Sequence, residues 1–461
     1  MALIKSISGI RGTIGGEPGE TLSPLDIVKF TASYHKNLQQ NISSDKLKIV
    51  VGRDGRISGN MVQQLVMQTL IASGADIIDL GLTTTPTLEM AIKFHKADGG
   101  IIITASHNPA EWNALKLLNN KGEFISREDG KQILDIAASE KFSFATVDKL
   151  GTITKDEDAL QKHIDAILNH PLVDITSIKK KKFKVVVDAI NSSGAIAMPA
   201  LLKALGVKDI IVLNEEINGK FAHNPEPLPQ HLNELCNEVR KQDAHIGIAV
   251  DPDVDRLCFV CEDGSLFGEE YTLVAVADYM LQSKPGNTVS NMSSTRALKD
   301  ITVKYGGEYF SSAVGEVNVV NKMKEVNAVI GGEGNGGIIV PELHYGRDAL
   351  IGTALFLSYL AKNGKTTRQL RNQYPDYFMS KNKMELDKSI DLKKIFGHIQ
   401  RKYKNNPLNT EDGLKIEFDN DWVHLRTSNT EPIIRIYAES NFETTADNIA
   451  MRLMQDIREF M

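Results

Sequence analysis

The sequence GGIIITASHNP, at residues 99–109, indicates both the class of fold and the place of its chemistry. Three successive isoleucines after a glycine pair predict a short buried strand, which Pro109 prevents from continuing. Ser106 is therefore predicted to lie where a strand changes into a loop. Because ligands collect at the carboxyl ends of strands in an α/β sheet, this hydroxyl, with His107 beside it, is a candidate nucleophile or phosphate carrier. A loop serine that caps the next helix would account for the same residues.

Strands alternate with helices before this stretch. Ser23 and Pro24 are typical of a helix start, with a capping hydroxyl followed by proline at the first helical position. Residues 48–52 (KIVVG) and 76–81 (DIIDLG) then predict buried strands on either side of a helix at 61–72. This order is typical of a parallel sheet.

The same order recurs later in the chain. A strand at 184–188 (KVVVD) is followed by a loop of small residues, a helix at 199–205 and a strand at 209–213 (DIIVL). A weaker third copy runs from Asn287 to Phe310. Repetition at this spacing predicts three related α/β units, although unrelated doubly wound domains would show a similar pattern.

The last part of the chain follows a different pattern. Residues 414–418, 422–425 and 433–437 alternate as half-exposed strands. A closing helix is predicted from the spacing of its apolar residues, which are Ile449, Leu453, Ile457 and Phe460. A small α+β domain is therefore predicted here, joined to the rest near residues 374–375.

Composition limits the class of protein. The chain has 461 residues, enough for several domains, with 42% hydrophobic and 24% charged residues, which are ordinary globular values. A net charge of −6 gives no reason to expect a nucleic-acid partner, and no apolar run is long enough to span a membrane. Cys236, Cys258 and Cys261 form no disulfide framework and are predicted to be core thiols. A cytoplasmic location is expected because the N-terminus lacks a signal-peptide pattern.

A second strand-to-loop stretch, IGIAVDPDVDR at residues 246–256, carries three carboxylates. Asp251, Asp253 and Asp255 occupy alternate positions, and period-two spacing predicts that their side chains lie on one side. Three neighbouring negative charges are unfavourable without a cation, and oxygen ligands suit Mg²⁺. The alternative is an acidic turn in which Arg256 is the internal counter-ion.

Two further loops have the composition of ligand-binding segments. In AVIGGEGNGG, at residues 328–337, glycine permits close approach of a ligand, while Glu333 and Asn335 could meet sugar hydroxyls, although a plain tight turn would also fit. The segment RTSNTEP at 426–432, with Arg435 after it, offers the donors that a phosphate dianion needs. A polar hairpin with solvated arginines is the alternative.

These stretches occur in the order found in the α-D-phosphohexomutase family, and the whole chain resembles that family. The resembling motifs are SISGIRG at 6–12, GRD at 52–54, TASHNP at 104–109 with Asn113 and Lys116 after it, DPDVDR at 251–256, the glycine-rich loop at 332–337, and RTSNTEP at 426–432. The family includes phosphoglucomutases, phosphomannomutases and phosphoglucosamine mutases.

The resemblance implies an α/β fold of three related α/β domains with mixed sheets and a smaller C-terminal α+β domain around a central cleft. The expected bounds are 1–150 for the phosphoserine-loop domain, 151–255 for the metal-loop domain, 256–374 for the sugar-binding domain and 375–461 for the phosphate-binding domain.

The resemblance also implies a reaction. A hexose 6-phosphate and 1-phosphate would be interconverted through phosphorylated Ser106 and a sugar bisphosphate, which also serves as primer. Mg²⁺ would be held by Ser106, Asp251, Asp253 and Asp255, with Arg256 in support. The other expected roles are proton transfer and charge screening for Lys116 and Arg11, orientation for His107, sugar contacts for Glu333 and Asn335, and phosphate binding for Arg426, Ser428, Asn429, Thr430 and Arg435.

Two departures from the family bear on the substrate. Many bacterial members end the sugar loop in Ser-Gly-His, where this chain has Asn335-Gly336-Gly337, and Ala114 stands where glycine is usual. Without this histidine, the motif does not identify the residue that transfers the proton or the sugar that is bound. Glucosamine phosphate is the expected substrate, with phosphomannomutase/phosphoglucomutase activity as the alternative. A metal-dependent phosphatase and a phosphosugar-binding protein are further alternatives, whereas the absence of G-x-S-x-G disfavours a serine hydrolase.

Overall fold

The computed structural model describes residues 2–6, 9–44, 46–385, 392–427 and 433–459. The chain forms two compact units. The first consists of Met1–Thr272 and Asn335–Gln369, and the second of Leu273–Gly334 and Leu370–Met461. None of the helices in the described ranges combines the length and the apolar character needed to cross a bilayer.

The strands and helices alternate along most of the described chain. The strands are β1 (Leu3–Ser6), β2 (Gly9–Thr13), β3 (Lys48–Arg53), β4 (Asp76–Leu82), β5 (Gly99–Ile103), β6 (Trp112–Leu118), β7 (Ile153–Lys155), β8 (Lys184–Asp188), β9 (Asp209–Leu213), β10 (Ile246–Val250), β11 (Leu257–Cys261), β12 (Thr288–Asn291), β13 (Tyr309–Ser312), β14 (Ile330–Glu333), β15 (Gly337–Ile339), β16 (Phe378–Glu385), β17 (Leu408–Asn409), β18 (Leu414–Glu417), β19 (Trp422–Thr427) and β20 (Ile433–Ser440). The helices are α1 (Pro24–Asn41), α2 (Gly59–Ala72), α3 (Thr85–His95), α4 (Arg127–Ser139), α5 (Ala159–Leu168), α6 (Ile175–Lys181), α7 (Gly194–Ala204), α8 (Asn233–Lys241), α9 (Glu269–Ser283), α10 (Ala297–Lys304), α11 (Glu316–Glu325), α12 (Ala349–Asn363), α13 (Thr367–Arg371), α14 (Leu392–Lys402) and α15 (Glu443–Arg458).

The first sheet of the first unit has the order β1-β2-β6-β5-β3-β4-β7. Strands β5, β3, β4 and β7 pair in parallel, whereas β6, β2 and β1 are antiparallel to their neighbours, so the sheet is mixed. The run of isoleucines forms β5, which is buried along its whole length. Ser23 caps α1 through a reciprocal capping box with Asp26, which confirms the predicted helix start.

The second sheet of this unit has the order β11-β10-β8-β9, and the three aspartates follow the carboxyl end of its strand β10. Strand β10 ends at Val250, so Asp251, Asp253 and Asp255 lie in a turn rather than on a strand. Val254 adopts the left-handed conformation there, with φ 62°. The prediction that strand alternation groups the three side chains is therefore wrong, because a tight turn brings them together. Cys258 and Cys261 are buried in β11, as predicted for core thiols, whereas Cys236 is only half-buried.

In the second unit, β13, β12 and β14 pair in parallel, and β12, α10 and β13 match the predicted third copy. The C-terminal sheet is antiparallel, with the order β16-β20-β19-β18-β17. Its core includes Leu453 and Ile457 from α15, which confirms the predicted apolar face of the closing helix. Phe460 lies outside the described residues.

Candidate active site

Ser106 lies in the loop after β5, next to the aspartate turn. Its backbone is in the left-handed region, with φ 49°, and its amide donates to Thr104 Oγ1 at 2.9 Å. Ser106 Oγ donates to Asp251 Oδ2 at 2.6 Å, although the two residues are 145 positions apart. His107 Nδ1 lies 3.4 Å from the same hydroxyl. The first unit thus brings the predicted serine against the predicted carboxylates.

The guanidinium of Arg56 holds the backbone of the serine loop. It is fully buried and donates from Nη2 to the carbonyl oxygens of Ser106, at 2.5 Å, and Asn108, at 2.6 Å. Nη1 donates to Pro109 O at 2.7 Å and Trp112 O at 2.9 Å. Three of these bonds fix carbonyls in a segment without regular secondary structure and the fourth fixes the first residue of β6, so Arg56 defines the shape of the loop.

The carboxylate of Asp54 completes this arrangement. It accepts from Arg56 Nε at 3.1 Å and from Thr104 Oγ1 at 2.7 Å. Burial raises the pKa of Asp54, although the charge of Arg56 opposes the effect. The GRD motif at 52–54 is thereby connected to the serine loop through Arg56, which the sequence analysis did not identify.

The three aspartates of the turn are fully buried, and one oxygen from each lies within 4.8 Å of the others. Asp251 Oδ1 accepts from the amides of Asp255, at 3.1 Å, and Arg256, at 3.0 Å. Burial, together with the charges of Asp255 and Asp253, raises the pKa of Asp251 well above its usual value.

Two carboxylate oxygens in this turn suit a cation. Among the residues that the structure describes, Asp253 Oδ1 and Asp255 Oδ1 are buried without a hydrogen-bond partner. Leaving such atoms unsatisfied is costly, and a hard divalent cation would satisfy them. The carboxylate oxygens of the turn therefore fit Mg²⁺ as ligands.

Two cationic side chains face the same turn. Lys116, on β6, places Nζ 2.7 Å from Asp253 Oδ2 and 3.4 Å from Asp255 Oδ2. Arg347 donates from Nη2 to Asp255 Oδ2 at 2.6 Å. Burial alone would raise the pKa of Asp255, but the charges of Arg347 and Lys116 outweigh it and lower this pKa. Burial likewise opposes charge on Lys116, but the two carboxylates raise its pKa and keep it an ammonium.

Arg347 and Thr85 are contacts of this site that sequence reasoning missed. Thr85, the first residue of α3, donates from Oγ1 to Asp253 Oδ2 at 2.6 Å and from its amide to Asp253 O at 2.9 Å. The available signals were weak: Thr85 belongs to the polar run TTTPT before a helix, and Arg347 to HYGRD before an apolar helix. Neither pattern indicates which carboxylate the residue will meet.

Arg256 and Arg11 add positive charge near His107. Arg256 Nη1 donates to Glu226 Oε1 at 3.0 Å, whereas its Nε lies 4.0 Å from Asp255 Oδ1. Glu226, rather than the acidic turn, is thus the nearer partner of Arg256. Burial and the charge of Arg256 lower the pKa of His107 well below its usual value, so its imidazole is neutral. Burial and the charges of Arg256 and Arg347 also lower the pKa of Arg11.

The predicted sugar-loop residues have distinct surroundings. In the second unit, Glu333 is buried, and its Oε1 accepts from Asn291 Nδ2 at 2.8 Å and from Gly315 N at 3.0 Å. In the first unit, Asn335 Oδ1 accepts from Gly337 N at 3.3 Å, a contact within its own loop.

Part of the predicted phosphate-binding segment is described. In the second unit, Arg426 and Arg435 face each other across β19 and β20. Arg426 Nε lies 2.8 Å from Asp412 Oδ2. Ser428, Asn429 and Thr430 lie outside the described residues.

Comparison with known proteins identifies the family of the chain. The phosphoglucomutase/phosphomannomutase profiles for alpha/beta/alpha domains I, II and III match residues 3–144, 161–264 and 268–377, and the profile for the C-terminal domain matches residues 382–456. The chain belongs to the phosphoglucomutase/phosphomannomutase family. The predicted fold class and the predicted family are thereby confirmed, and the protein is a phosphohexomutase.

Relatives of this phosphohexomutase extend over nearly its full length. A phosphoglucomutase/phosphomannomutase of Thermococcus kodakarensis is 36% identical and covers 94% of this chain and 95% of its own. A phosphoglucosamine/phosphogalactosamine mutase of Sulfurisphaera tokodaii is 33% identical and covers 98% of each chain. The crystal structure of a phosphoglucomutase/phosphomannomutase family protein from Burkholderia thailandensis is 25% identical, with a TM-score of 0.84 over 99% of this chain and 97% of the other.

Proposed function

We propose that this phosphohexomutase interconverts the 6-phosphate and the 1-phosphate of glucosamine through a phosphorylated Ser106. The single observation that carries the phosphoserine proposal is the 2.6 Å contact between Ser106 Oγ and Asp251 Oδ2, beside two carboxylate oxygens that have no hydrogen-bond partner among the described residues. A hydroxyl in this position can bear a phosphoryl group that shares a cation with the turn.

Each half of the proposed reaction moves one phosphoryl group. The bond between phosphorus and Ser106 Oγ breaks, a bond forms to the free hydroxyl of the sugar phosphate, and the hydroxyl proton passes to a basic group. In the second half, the bond between the other phosphorus and its sugar oxygen breaks, a bond forms between that phosphorus and Ser106 Oγ, and the sugar oxygen takes up the proton. Lys116, Arg11 and Arg256 would offset the negative charge of this transfer, since phosphoryl transfer depends mainly on alignment and electrostatics.

Geometry and charge limit the roles that His107 and Lys116 can take. His107 offers a neutral imidazole whose Nδ1 lies 3.4 Å from Ser106 Oγ. Lys116 is held as an ammonium by Asp253 and Asp255, which favours its charge-screening role over a role as base. Because the lowered pKa makes its imidazole a weak base, His107 is proposed only to orient the loop and the phosphoryl group, a role that its position beside Ser106 Oγ supports.

Asp251, Asp253 and Asp255 are the proposed Mg²⁺ ligands, together with an oxygen of phosphorylated Ser106. When bound, Mg²⁺ would neutralise charge on the phosphoryl oxygens and on Asp253 and Asp255.

Removal of divalent ions with a chelator is expected to reduce turnover to below about 1%, and added Mg²⁺ is expected to restore it. Mg²⁺ at roughly a hundredfold excess over Kd should also stabilise the fold by about 2 to 3 kcal/mol. Thermal unfolding with and without Mg²⁺ measures this effect. The variant Asp253→Asn should lose the Mg²⁺-dependent stabilisation, whereas Asp135→Asn, at an exposed position on α4, should retain it. Equal stabilisation of both variants would place the ion elsewhere.

The choice of glucosamine phosphate has support from relatives that carry the name phosphoglucosamine mutase, such as that of Methanococcus vannielii, which is 30% identical over 93% of this chain. The T. kodakarensis relative named phosphoglucomutase/phosphomannomutase favours the alternative substrates glucose and mannose phosphate. Parallel coupled assays with the three 6-phosphates, primed by the matching bisphosphates, test the choice. The highest kcat/KM is expected for glucosamine phosphate. Continuous release of inorganic phosphate without a 1-phosphate product would instead indicate a phosphatase.

Arg426 and Arg435, with Ser428, Asn429 and Thr430, are proposed to bind the phosphate that does not react. Because this contact is the same in the ground state and the transition state, Arg426→Gln is expected to raise KM about tenfold with little change in kcat. Steady-state kinetics separates the two constants. Arg401→Gln, at an exposed position on α14, is the control and should leave KM unchanged. A fall in kcat at constant KM would contradict an anchoring role.

A further inference from the structure

A second cluster of buried ionisable side chains lies in the first unit, outside the site described above. His163 Nε2 and His344 Nε2 approach the same atom, Asp348 Oδ2, at 3.0 and 3.1 Å. The other ring nitrogen of His344, Nδ1, lies 3.1 Å from Glu89 Oε2. All four side chains are at most 3% exposed. We call His163, His344, Asp348 and Glu89 the buried quartet.

The hydrogen bonds around the quartet indicate where its protons lie. Thr84 Oγ1 donates to Thr87 Oγ1 at 2.7 Å, which leaves the Thr87 proton for His163 Nδ1, 3.1 Å away. His163 then donates from Nε2 to Asp348 Oδ2. His344 faces a carboxylate at each nitrogen and is therefore the cation of the quartet.

The two carboxylates beside His344 favour its charged form. Burial alone would lower the pKa of His344, but Asp348 and Glu89 outweigh it and raise this pKa to about 9. Asp348 Oδ1 also accepts from the amides of Leu350, at 2.8 Å, and Ile351, at 3.3 Å, at the start of α12. The quartet thus joins α3, which carries Glu89, to α5, which carries His163, and to the first turn of α12.

The same helix starts hold the aspartate turn. At the start of α3, Thr85 bonds to Asp253 through both its hydroxyl and its amide. At the start of α12, the amide of Ala349 donates to Val254 O at 3.2 Å, and Arg347 donates to Asp255 Oδ2 at 2.6 Å. Arg347 lies between His344 and Asp348 in the sequence HYGRD at 344–348. A shift of either helix start would therefore move a direct partner of a carboxylate in the turn.

We propose that the buried quartet is a positioning device, which locks the starts of α3 and α12 together so that Thr85 and Arg347 hold Asp253 and Asp255 in the geometry that binds the divalent ion. This inference rests on the proposed metal role of the aspartates. The four side chains act through Thr85 and Arg347 and do not themselves touch substrate or metal. Outer partners that orient metal ligands affect affinity even without contacting the ion.

The position of Gly346 provides a test that leaves every charge in place. A Cβ at Gly346 would lie 1.8 Å from Glu89 Oε2 and 2.6 Å from Glu89 Cδ. The backbone and the Glu89 carboxylate are therefore in close contact, which alanine would disrupt. Gly346→Ala should move Glu89 away from His344 and thereby disturb the quartet sterically.

Binding of Mn²⁺ to the full-length enzyme, measured by electron paramagnetic resonance, tests the proposal without using activity. His344→Gln, Glu89→Gln and Gly346→Ala are each expected to raise the Mn²⁺ Kd roughly tenfold. The control is His35→Gln, at a buried histidine on α1 outside the quartet. It should lower the thermal midpoint, as His344→Gln does, and leave the Kd within about twofold of wild type.

The proposal is overturned if His344→Gln binds Mn²⁺ with wild-type affinity while its thermal midpoint falls as much as that of His35→Gln. The quartet would then only stabilise the fold. The purified wild-type enzyme could also hold a second ion. If Asp253→Asn retains that ion and both His344→Gln and His163→Gln lose it, the quartet binds metal and the positioning proposal is overturned. Equal Mn²⁺ binding by wild type and Asp253→Asn would instead reject the metal role of the turn. The two proposals can therefore fail separately.

Discussion

Replacing Ser106 with alanine is expected to lower kcat about ten thousandfold or more, the loss typical of removing a covalent nucleophile. The physical reason is that Oγ is the only atom of this side chain that can carry a phosphoryl group. The fold should survive, because Asp251 Oδ1 keeps its bonds to the amides of Asp255 and Arg256. Loss of the Ser106 bond to Oδ2 should cost only about 1 to 2 kcal/mol.

Two measurements distinguish a missing nucleophile from a damaged protein. Incubation with a sugar bisphosphate labelled in its phosphate should transfer label to the wild-type chain and not to Ser106→Ala. Isothermal titration should still detect hexose-phosphate binding by the variant. Ser126→Ala is the matched control, because Ser126 caps the exposed start of α4 and its loss should cost about 1 kcal/mol of stability without affecting turnover. Full activity of Ser106→Ala would reject the phosphoserine mechanism.

The parts of the fold that depend on local pattern could be predicted from the sequence. The apolar runs that form β3 and β5 are continuous because these strands are covered on both faces. The C-terminal strands share one apolar core face, as their alternation predicts, but the prediction that they are half-exposed is wrong, because Lys415, Trp422 and His424 on the other face are also buried. Strand β16 was not predicted. Its sequence, FMSKNKME, has few apolar residues, and its pairing with β20 depends on the antiparallel register with that strand.

The site could be predicted only where its chemistry follows a strand. Ser106 and the aspartates come after β5 and β10, so their meeting at strand ends was expected. Their grouping by strand alternation was wrong, because the local geometry depends on a turn with Val254 in a left-handed conformation, which a β-branched residue rarely adopts. Nothing in the composition of the segment indicates that conformation.

The partners of the aspartates could not be predicted, because each contact depends on how separate elements pack. Thr85 and Asp253 are 168 positions apart, and Arg347 and Asp255 are 92 apart. Similarly, His163 lies 185 positions from Asp348. A sequence can indicate that a carboxylate needs a partner, but the choice among the chain's 53 basic residues depends on tertiary structure.

The conservative replacement Arg56→Lys is expected to lower both the stability of the protein and its turnover. The guanidinium uses all of its donor groups: two bonds to the carbonyls of Ser106 and Asn108, two to those of Pro109 and Trp112, and one to Asp54. An ammonium has three donors and no planar fork, so at least two of these acceptors would be left buried and unpaired. The expected loss of stability is about 3 kcal/mol.

The expected loss of turnover in Arg56→Lys has a separate cause. Relaxation of the loop by about 1 Å would move Ser106 Oγ away from Asp251, and such a displacement can reduce kcat about a hundredfold. Denaturant unfolding measures the first effect, and steady-state kinetics, well below the thermal midpoint, measures the second. Arg240→Lys, at an exposed position on α8, should change neither. Wild-type kcat in a destabilised Arg56→Lys enzyme would mean that the bonds of Asp251 and Thr104 to Ser106 suffice to place the hydroxyl. Arg56 would then act on the fold alone, because replacing a residue that shapes the loop for catalysis must lower both stability and turnover.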